Sequence, residues 1–473
     1  MTFNSPEFIV FLLVVFVVYW LFGRNVKIQN LIILIASYIF YSWWSVKFLL
    51  LIVTCSLIDF FFSFRIYNSK KYKLLFLCMS ISLNLGVLFY FKYLNFFIKS
   101  LSNGLNFFGV NNSLHPIDVL LPIGISFFTF QTLGYSIDIY RGRIKPTTNI
   151  FVFLNFTSFF AQILAGPIER ASQLMPQFSI KREFSYPLAV EGLRQILYGL
   201  FKKMVVADKV GDYVNYIYFT YKSRSSLELL LGTFFFYIQI YADFSGYSDI
   251  AIGTGKLLGF NLSTNFRTPL FARTAPEAWS RWHITLTQWF RDYVYKPLLL
   301  TNKESTIWRI ICILIVFFLI GLWHGANSTF LVFGLLHGSY FIPSILAKRH
   351  PVLKRIFRKL KTDRYLSIVS IIFVFTVASM TTTFFRSPDI GFALSYLRRL
   401  FGFNGVGLDP IIFRMTIYLA AFMAWEWLLK DKEFQFDIKF FPKPVKFACY
   451  YIVVFAILIW GHFADPSFIY FHF

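Results

Sequence analysis

Two histidines lie in one tryptophan-rich stretch of the chain, from Trp279 to Ser328. The stretch opens with WSRWHITLTQWFRDYVYKPL, which contains His283, and closes with GLWHGANS, which contains His324. Histidine exchanges a proton near neutral pH, and an apolar setting favours the neutral imidazole that a general base needs. A packing or hydrogen-bonding role is the alternative for each histidine, and these residues alone leave both roles open.

The elements that carry the two histidines differ in polarity. We predict one helix from Arg281 to Leu298, with a stripe of aromatic and apolar residues along one side. This helix is too polar to span a membrane alone, so it should be interfacial or re-entrant. The run from Ile310 to Leu322 is apolar, and His324 follows it at a break in the apolar sequence. Gly321 and Gly325 flank this break and permit two helices to approach closely.

The rest of the chain has the composition of a membrane protein. Of its 473 residues, 57% are hydrophobic and only 15% are charged, whereas soluble domains carry about 25% charged residues. Apolar runs recur along the whole length, which predicts an all-α, polytopic integral membrane protein with about 11–13 membrane helices, re-entrant segments included. We treat residues 1–473 as one membrane-embedded domain.

The chain has a formal net charge of +23, and its lysines and arginines lie mainly in the loops between the apolar runs. Lysine and arginine hold short loops on the cytoplasmic side of a membrane, so the charge is topological and does not indicate nucleic acid. The alternation of basic and non-basic loops predicts that the N-terminus and the C-terminus are both outside. The densest basic loop, residues 348–364, is suited to anionic lipid or to another phosphate-bearing ligand.

Several polar residues interrupt otherwise apolar runs. Asp243 and Asp249 fall within the run 234–260, where they either neutralise cations of the helix bundle or line a hydrophilic passage. Gln131 lies in the run 120–140, which proline and glycine break, so this segment is expected to line a cavity. Asp59 lies in the middle of an early run and is best explained as a polar contact between helices.

Five ordered motifs resemble the membrane-bound O-acyltransferase family, in particular its bacterial branch that O-acetylates alginate and peptidoglycan. They lie within the core residues 120–346. The motifs are GISFFTFQTLGYSIDIYRG, AGPIER, YADFSGYSDIAIG, WSRWHITLTQWFRDYVY and GLWHGAN. The resemblance implies a helical core with a funnel and a tunnel, through which an acyl donor on the cytoplasmic side meets an acceptor on the outer side.

The same resemblance assigns roles to residues. His324 matches the family's histidine and is expected to be the general base, and His283 matches the second histidine of the bacterial branch. Candidate donors to the developing oxyanion are Arg281, Gln288 and the indole of Trp323. Further residues expected in the tunnel or in structural polar contacts are Asn327, Gln131, Asp243 and Asp249.

The resemblance also implies substrates and partners. The donor is expected to be acetyl-CoA or an acyl-carrier thioester, and the acceptor an envelope polysaccharide such as peptidoglycan or an alginate-like exopolysaccharide. An extracytoplasmic SGNH-type acetyltransferase or esterase is the expected partner, and the inner membrane of the cell is the expected location. Tyr470, in an aromatic C-terminal tail, could carry the acyl group to that partner or simply anchor the tail at the interface.

Two alternatives remain at this stage. D-alanyl transfer to teichoic acid uses the same scaffold as acetyl transfer. A membrane transporter, from another functional class, would also account for buried carboxylates, broken helices and basic loops. The transporter alternative is the weaker one, because the sequence has no inverted repeat and the two histidines coincide with the family motifs.

Overall fold

The computed structural model describes residues 1–110, 114–164, 166–432 and 434–463, without the side chain of Lys361. Throughout these residues the regular structure is helical and includes no strand, which confirms the predicted all-α class. The backbone contacts define two compact units. The first comprises residues 3–189 and 254–263, and the second comprises residues 190–253 and the described residues from 264 onward.

Among the described residues, nine helices lie wholly within the first unit, and a π-helical turn at Phe89–Tyr93 joins the fourth to the fifth. They are α1 (Pro6–Phe22), α2 (Val26–Ser42), α3 (Val46–Asn68), α4 (Lys73–Leu88), α5 (Leu94–Phe107), α6 (Ile125–Tyr140), α7 (Ile150–Ser158), α8 (Phe160–Ile163) and α9 (Ala171–Ser179). Helix α6 begins directly after Gly124, which has a φ of 77°. Glycine adopts this conformation without strain, so the predicted break in the run 120–140 lies there.

Helices α10 to α23 follow, and both histidines belong to this part of the chain. They are α10 (Tyr186–Leu200), α11 (Asp208–Phe219), α12 (Ser226–Leu257), α13 (Ala275–Arg281), α14 (Ile284–Phe290), α15 (Lys296–Leu300), α16 (Thr306–His324), α17 (Ser328–Ser339), α18 (Ile342–Leu346), α19 (Pro351–Thr362), α20 (Arg364–Arg386), α21 (Ile390–Phe401), α22 (Pro410–Leu428) and α23 (Lys443–Trp460). Short π-helical turns at Phe201–Ala207 and Arg291–Tyr295 connect α10 to α11 and α14 to α15.

Among the described residues, eight helical runs are long and apolar enough to cross a membrane. They are Val46–Asn68, Lys73–Phe107, Ser226–Leu257, Thr306–His324, Ser328–Leu346, Arg364–Arg386, Pro410–Leu428 and Lys443–Trp460. Three shorter apolar helical runs, Pro6–Phe22, Val26–Ser42 and Ile150–Ile163, accompany them. A run of about 20 apolar residues spans the hydrocarbon core of a bilayer. The chain is therefore a multi-pass membrane protein, as its composition predicts.

Short polar side chains set the beginnings of the helices near the two histidines. Ser305 accepts a hydrogen bond from the backbone N–H of Trp308 and caps α16. Asn327 accepts one from the N–H of Thr329 and caps α17. The first amides of a helix have no partner within the helix, so such caps stabilise its N-terminus by about 1 kcal/mol. The two caps fix where the hairpin of α16 and α17 begins and turns.

Asp59 organises the polar interior of the first unit. Its two carboxylate oxygens accept hydrogen bonds from Ser80 Oγ at 2.6 Å and Asn84 Nδ2 at 2.7 Å. Asn84 in turn accepts from Thr132 Oγ1 at 2.8 Å. The cluster ties α3, α4 and α6 together, which is the helix–helix contact expected for a carboxylate in the middle of an apolar run.

Candidate active site

His324 is the last residue of α16, and its imidazole is almost completely buried. The next residue, Gly325, has extended backbone, so the helix ends at the histidine. Its ring packs edge-on against two phenylalanines, with centroid distances of 5.7 Å to Phe333 and 5.2 Å to Phe385. The aromatic setting around His324 matches the apolar environment that the sequence predicts.

Two glycines set the position of His324 relative to α17. A Cβ atom at Gly334 would overlap the carbonyl oxygen of Phe317, and one at Gly321 would overlap that of Phe330. Small residues at such contacts let two helix backbones approach closely. The approach brings His337 of α17 into the same apolar cavity as His324. His337 is also buried, and its Nδ1 atom lies 3.3 Å from the indole nitrogen of Trp279, which donates to it.

His283 occupies a break between two helices, which corrects the prediction of one continuous helix from Arg281 to Leu298. Helix α13 ends at Arg281 and α14 begins at Ile284. His283 itself has a φ of 40°, in the left-handed region that residues other than glycine rarely adopt. Sequence periodicity could not reveal this break, because the aromatic stripe continues through it.

Asn265 holds His283 in this conformation. Its backbone carbonyl accepts the N–H of Ile284 at 2.9 Å. Its side-chain oxygen accepts Thr285 Oγ1 at 3.0 Å and lies 3.0 Å from His283 Nδ1. An amide oxygen only accepts, so Nδ1 carries the proton and the lone pair of the neutral ring is on Nε2. Burial lowers the pKa of His283 to about 3, so the ring is neutral at physiological pH.

The indole of Trp323 connects the two histidines. Its ring centroid lies 5.5 Å from that of His283 and 4.9 Å from that of His324. The side chain is 4% exposed, so the three rings form a continuous buried group. The structure thus brings together three of the residues that the sequence singles out, although they come from two separate segments.

An apolar cavity of about 420 Å³ extends from His324. Helices α12, α13, α16, α17, α19 and α20 all contribute to its walls, which include Trp279, Trp282, Phe333 and His337. Pockets for small molecules are usually concave and mostly apolar, with few polar groups. An imidazole at the wall of such a cavity is in position to act on the reacting end of a bound substrate.

A wider basic cavity of about 810 Å³ adjoins the apolar one. Thr274, Pro276 and Phe357 line both cavities, so the two are neighbours. Five cations line the basic cavity: Arg291, Arg309, Lys348, Lys354 and Arg358. Within the described part of the chain, its lining includes no carboxylate. Arginine and lysine clustered in this way are suited to phosphate groups.

The three candidate oxyanion donors have different surroundings. Trp323 lies between the histidines, as described above. Arg281 forms an ion pair with Glu277 at 2.6 Å on its own helix. Gln288 is exposed on α14, whereas both histidines are buried, so the structure does not bring Gln288 into the buried group. Asn327, besides capping α17, donates to the carbonyl of Pro388 at 2.8 Å and fixes the loop after His324.

Asp243 and Asp249 pair with two consecutive lysines. Lys203 lies 2.8 Å from Asp243, and Lys202 lies 2.5 Å from Asp249. All four side chains are buried or nearly so. These ion pairs are the contacts expected if the two carboxylates neutralise cations within the helix bundle. The sequence around the two aspartates does not predict this pairing, because the lysines belong to the earlier π-helical turn Phe201–Ala207.

The remaining predicted residues lie elsewhere. Gln131 is buried in the first unit and donates to the carbonyl of Phe156 at 3.4 Å. Tyr470 lies outside the described residues. Two residues of the site were missed in the sequence: Asn265, which orients His283, and His337, which lines the apolar cavity together with His324. His337 belongs to the helix that follows His324, and the hairpin of these two helices brings the histidines to one cavity.

Comparison with known proteins shows a family match over the region that contains this candidate site. The model of the membrane-bound O-acyltransferase family matches residues 136–386, which include both histidines and both cavities. The chain is 37% identical over 344 residues to a probable alginate O-acetylase of Pseudomonas aeruginosa, a match that covers 72% of this chain and 65% of that protein.

Two further relatives act on other polymers, by their names. A peptidoglycan O-acetyltransferase of Helicobacter pylori is 33% identical over 440 residues, which cover 86% of this chain and 81% of that protein. A teichoic acid D-alanyltransferase of Bacillus subtilis is 27% identical over 230 residues, which cover 47% of this chain and 58% of that protein. These matches confirm the family predicted from the five motifs: the chain belongs to the membrane-bound O-acyltransferase family, whose enzyme class is O-acyltransferase.

Proposed function

We propose that this chain transfers an acetyl group from a cytoplasmic thioester to a hydroxyl acceptor, for O-acetylation of an envelope polysaccharide. One observation carries the proposal: a cavity lined by five cations adjoins an apolar cavity that has His324 in its wall. Coenzyme A and the phosphopantetheine arm of a carrier protein both combine phosphate groups with a long thioester-bearing arm. Phosphates would bind the cations, and the arm would extend through the apolar cavity to His324.

Arg309 and His324 give the scale of this arrangement. Both are on α16, one in its first turn and the other at its last residue. Because an α-helix rises about 1.5 Å per residue, their backbones are roughly 20 Å apart. Arg309 lines the basic cavity and His324 the apolar one. A small acetyl group could not bridge this distance alone, whereas a phosphate-bearing donor with an extended arm could. The distance supports a thioester donor of that class.

The chemistry requires one positioned base. The neutral imidazole of His324 takes the proton of the acceptor hydroxyl while its oxygen attacks the acyl carbonyl. A C–O bond forms, the C–S bond breaks, and the departing thiolate takes the proton from the imidazolium. Products are the acetyl ester and the free thiol. A positioned base contributes about 10²–10⁴-fold to the rate of such a reaction.

His283 supports this step through Trp323, whose ring contacts both histidines. Because Asn265 keeps its proton on Nδ1, the lone pair on Nε2 is available to orient a donor or to accept a proton. Its burial keeps the ring neutral. We assign His283 a supporting role, and His324, which lines the apolar cavity, the role of base.

The acceptor side rests on the relatives' names. Proteins named for O-acetylation of alginate and peptidoglycan are similar to most of this chain, whereas the D-alanyltransferase is similar to less than half of it. Acetyl transfer is therefore proposed ahead of D-alanyl transfer to teichoic acid. Transport is the least supported alternative, because Asp243 and Asp249, which would have lined its passage, form ion pairs with lysines.

The proposal extends to the setting of the reaction. The protein is placed in the inner membrane, with both termini outside and the basic cavity on the cytoplasmic side. Tyr470 of the C-terminal tail is proposed as the acyl carrier towards an extracytoplasmic SGNH-type partner. An active Tyr470→Phe variant with no acyl-tyrosine in the C-terminal peptide by mass spectrometry would remove this element and leave the transferase proposal intact.

The test uses membrane vesicles that contain the full chain and are oriented so that the basic loops face the medium. Acetyl-CoA, an acetylated carrier protein and a D-alanylated carrier protein are supplied in turn, each labelled in the acyl group. We expect label to reach envelope polysaccharide from an acetyl thioester and not from the D-alanyl carrier. Transfer from the D-alanyl carrier alone would favour the alternative, and transfer from none of the donors would overturn the proposal.

A further inference from the structure

A third cavity, of about 370 Å³, lies beyond the apolar cavity. Its lining includes Asn327, Phe330, Phe385 and Arg386. Asn327 follows the end of α16, whereas Arg309, near the beginning of the same helix, lines the basic cavity. The basic cavity thus lies along α16 from Arg309 to Ile320, whereas the third cavity lies past the end of that helix, at Asn327. We name the third one the distal cavity.

Phe385 lines both the apolar cavity and the distal cavity. Its side chain is 2% exposed. Its ring packs against His324, at a centroid distance of 5.2 Å, and against Phe330, at 4.9 Å. His324 lines only the apolar cavity and Phe330 only the distal one. The two cavities are therefore separated at this point by the thickness of one aromatic ring.

Phe385 lies at the end of a helix, so a small local movement would be enough to connect the two cavities. It is the last residue but one of α20, which ends at Arg386. Ser387 and Pro388 follow in extended or irregular structure. A side chain at the end of a helix needs only a rotation about its own bonds, or a small shift of the final turn, to leave its place between the two cavities.

We propose that Phe385 is the gate through which the acceptor hydroxyl reaches the thioester beside His324. This inference rests on the proposed function, in which His324 acts on a thioester in the apolar cavity. In the closed position the ring keeps water and the acceptor away from the acyl group. When the ring turns aside, an acceptor in the distal cavity reaches the carbonyl carbon next to the imidazole of His324.

A gate at this place has a definite chemical purpose. Water that reached the thioester would attack the same carbonyl carbon: a C–O bond would form, the C–S bond would break, and the products would be acetate and free thiol. Exclusion of water from a closed site prevents side reactions of this kind. Loss of the Phe385 ring should therefore convert productive transfer into hydrolysis that still depends on His324.

Accessibility of one engineered thiol tests the gate without any acyl transfer. Cys55, Cys78, Cys312 and Cys449 are first replaced by alanine or serine. Thr382, which lines the apolar cavity, is then changed to cysteine, and an impermeant thiol reagent is applied to each face of oriented proteoliposomes. We expect labelling only from the face of the basic cavity while Phe385 is present. In Phe385→Ala, labelling from the opposite face should rise at least tenfold.

Matched variants separate the gate from a general loosening of the fold. Phe384→Ala removes a neighbouring buried ring that lines neither cavity, and it should leave the labelling pattern unchanged. Phe385→Leu retains much of the packing and should show a smaller increase, should Phe385→Ala fail to fold. Equal labelling from both faces with Phe385 present, or no change in the Phe385 variants, would overturn the gate.

Hydrolysis of acetyl-CoA is the second readout. The ratio of acetate released to acetyl transferred should rise at least tenfold in Phe385→Ala, and the added change His324→Ala should abolish the increase. An unchanged ratio in Phe385→Ala would also contradict the gate. If the unmodified protein consumes no thioester, the proposed function fails, and the thiol labelling still decides whether Phe385 separates the two cavities.

Discussion

Two buried polar groups in this molecule have opposite surroundings. In the first unit, Asp59 is enclosed by hydrogen-bond donors from Ser80 and Asn84, and the cluster continues through Thr132. In the second unit, His324 is enclosed by aromatic rings and forms part of the wall of a cavity. Each group is buried in an apolar helix. Asp59 forms hydrogen bonds to a neighbouring helix, whereas His324 lines a cavity that could hold a substrate.

The difference in surroundings distinguishes a buried group that stabilises the fold from a buried group that can take part in a reaction. A buried carboxylate that accepts two short hydrogen bonds holds helices together, and its removal leaves donors unsatisfied. A buried imidazole next to a cavity is desolvated and can exchange a proton with a bound molecule. The comparison predicts that changes at the two places affect different quantities: the stability at Asp59 and the rate at His324.

The largest effect is expected from His324→Ala. It should lower the rate of acetyl transfer by about 10²–10⁴-fold, the contribution of a positioned base. The midpoint of thermal unfolding in detergent should change little. The matched control is His115→Ala, which removes an exposed histidine of the first unit and should leave the rate unchanged. If His324→Ala kept most of the activity, His324 would not be the catalytic base, and the proposed difference between His324 and Asp59 would be wrong.

Asp59→Ala should have the converse effect. It removes one acceptor from each of Ser80 and Asn84, which keep their contacts with Ser136 Oγ and with the carbonyl of Ser80, so we expect a total cost of roughly 1–3 kcal/mol. We expect a lower free energy of unfolding, with an unchanged rate of transfer per folded molecule. Thermal unfolding and activity measured on the same preparation check this. If the Asp59→Ala variant were inactive but as stable as the unmodified protein, Asp59 would have a role in the reaction and not in the stability of the fold.

The third prediction concerns pH and His283. Its pKa is about 3 in the folded protein, below the value of about 6.5 expected for an unfolded chain. The neutral ring therefore stabilises the fold fully above pH 6.5, and this contribution is lost progressively as the pH falls towards 3. At pH 5 the loss amounts to about 2 kcal/mol. His283→Asn should lose less stability between pH 7 and pH 5 than the unmodified protein; parallel curves would contradict the buried neutral ring.

The smallest effect is expected at the solvent-exposed cations of α19. The double change Lys354→Glu and Arg358→Glu should raise the KM for acetyl-CoA roughly 5- to 30-fold, since each exposed ionic contact contributes on the order of 1 kcal/mol. Salt should reduce the difference. Arg355→Glu with Lys359→Glu is the matched control, because these cations of the same helix do not line the cavity. An equal rise in KM in both double variants would indicate a nonspecific charge effect.

Much of this arrangement could be predicted from the sequence. Hydropathy predicts the membrane helices, and the motifs around His283 and His324 identify the family and indicate the candidate site. The contact of Asp59 also follows, because a carboxylate in an apolar helix requires polar neighbours. These features depend on residue type and on local spacing, which the sequence contains directly.

Other features depend on segments that meet only in the fold. Asn265 orients His283 from an earlier loop, and Lys202 neutralises Asp249 from a different helical segment. The left-handed backbone at His283 interrupts a pattern that would otherwise continue as one helix. The shared wall at Phe385 is a property of the cavities, and a phenylalanine near the end of an apolar helix gives no signal of it.

The most direct test of the central claim locates the acyl group itself. A coenzyme A thioester with a photoreactive diazirine in its acyl chain is bound to the purified full-length protein and irradiated, and the adducts are mapped by mass spectrometry. We predict adducts on residues that line the apolar cavity with His324, such as Trp282, Phe333 and His337, and their loss when acetyl-CoA competes. Adducts confined to the first unit, or insensitive to acetyl-CoA, would contradict a thioester site at His324.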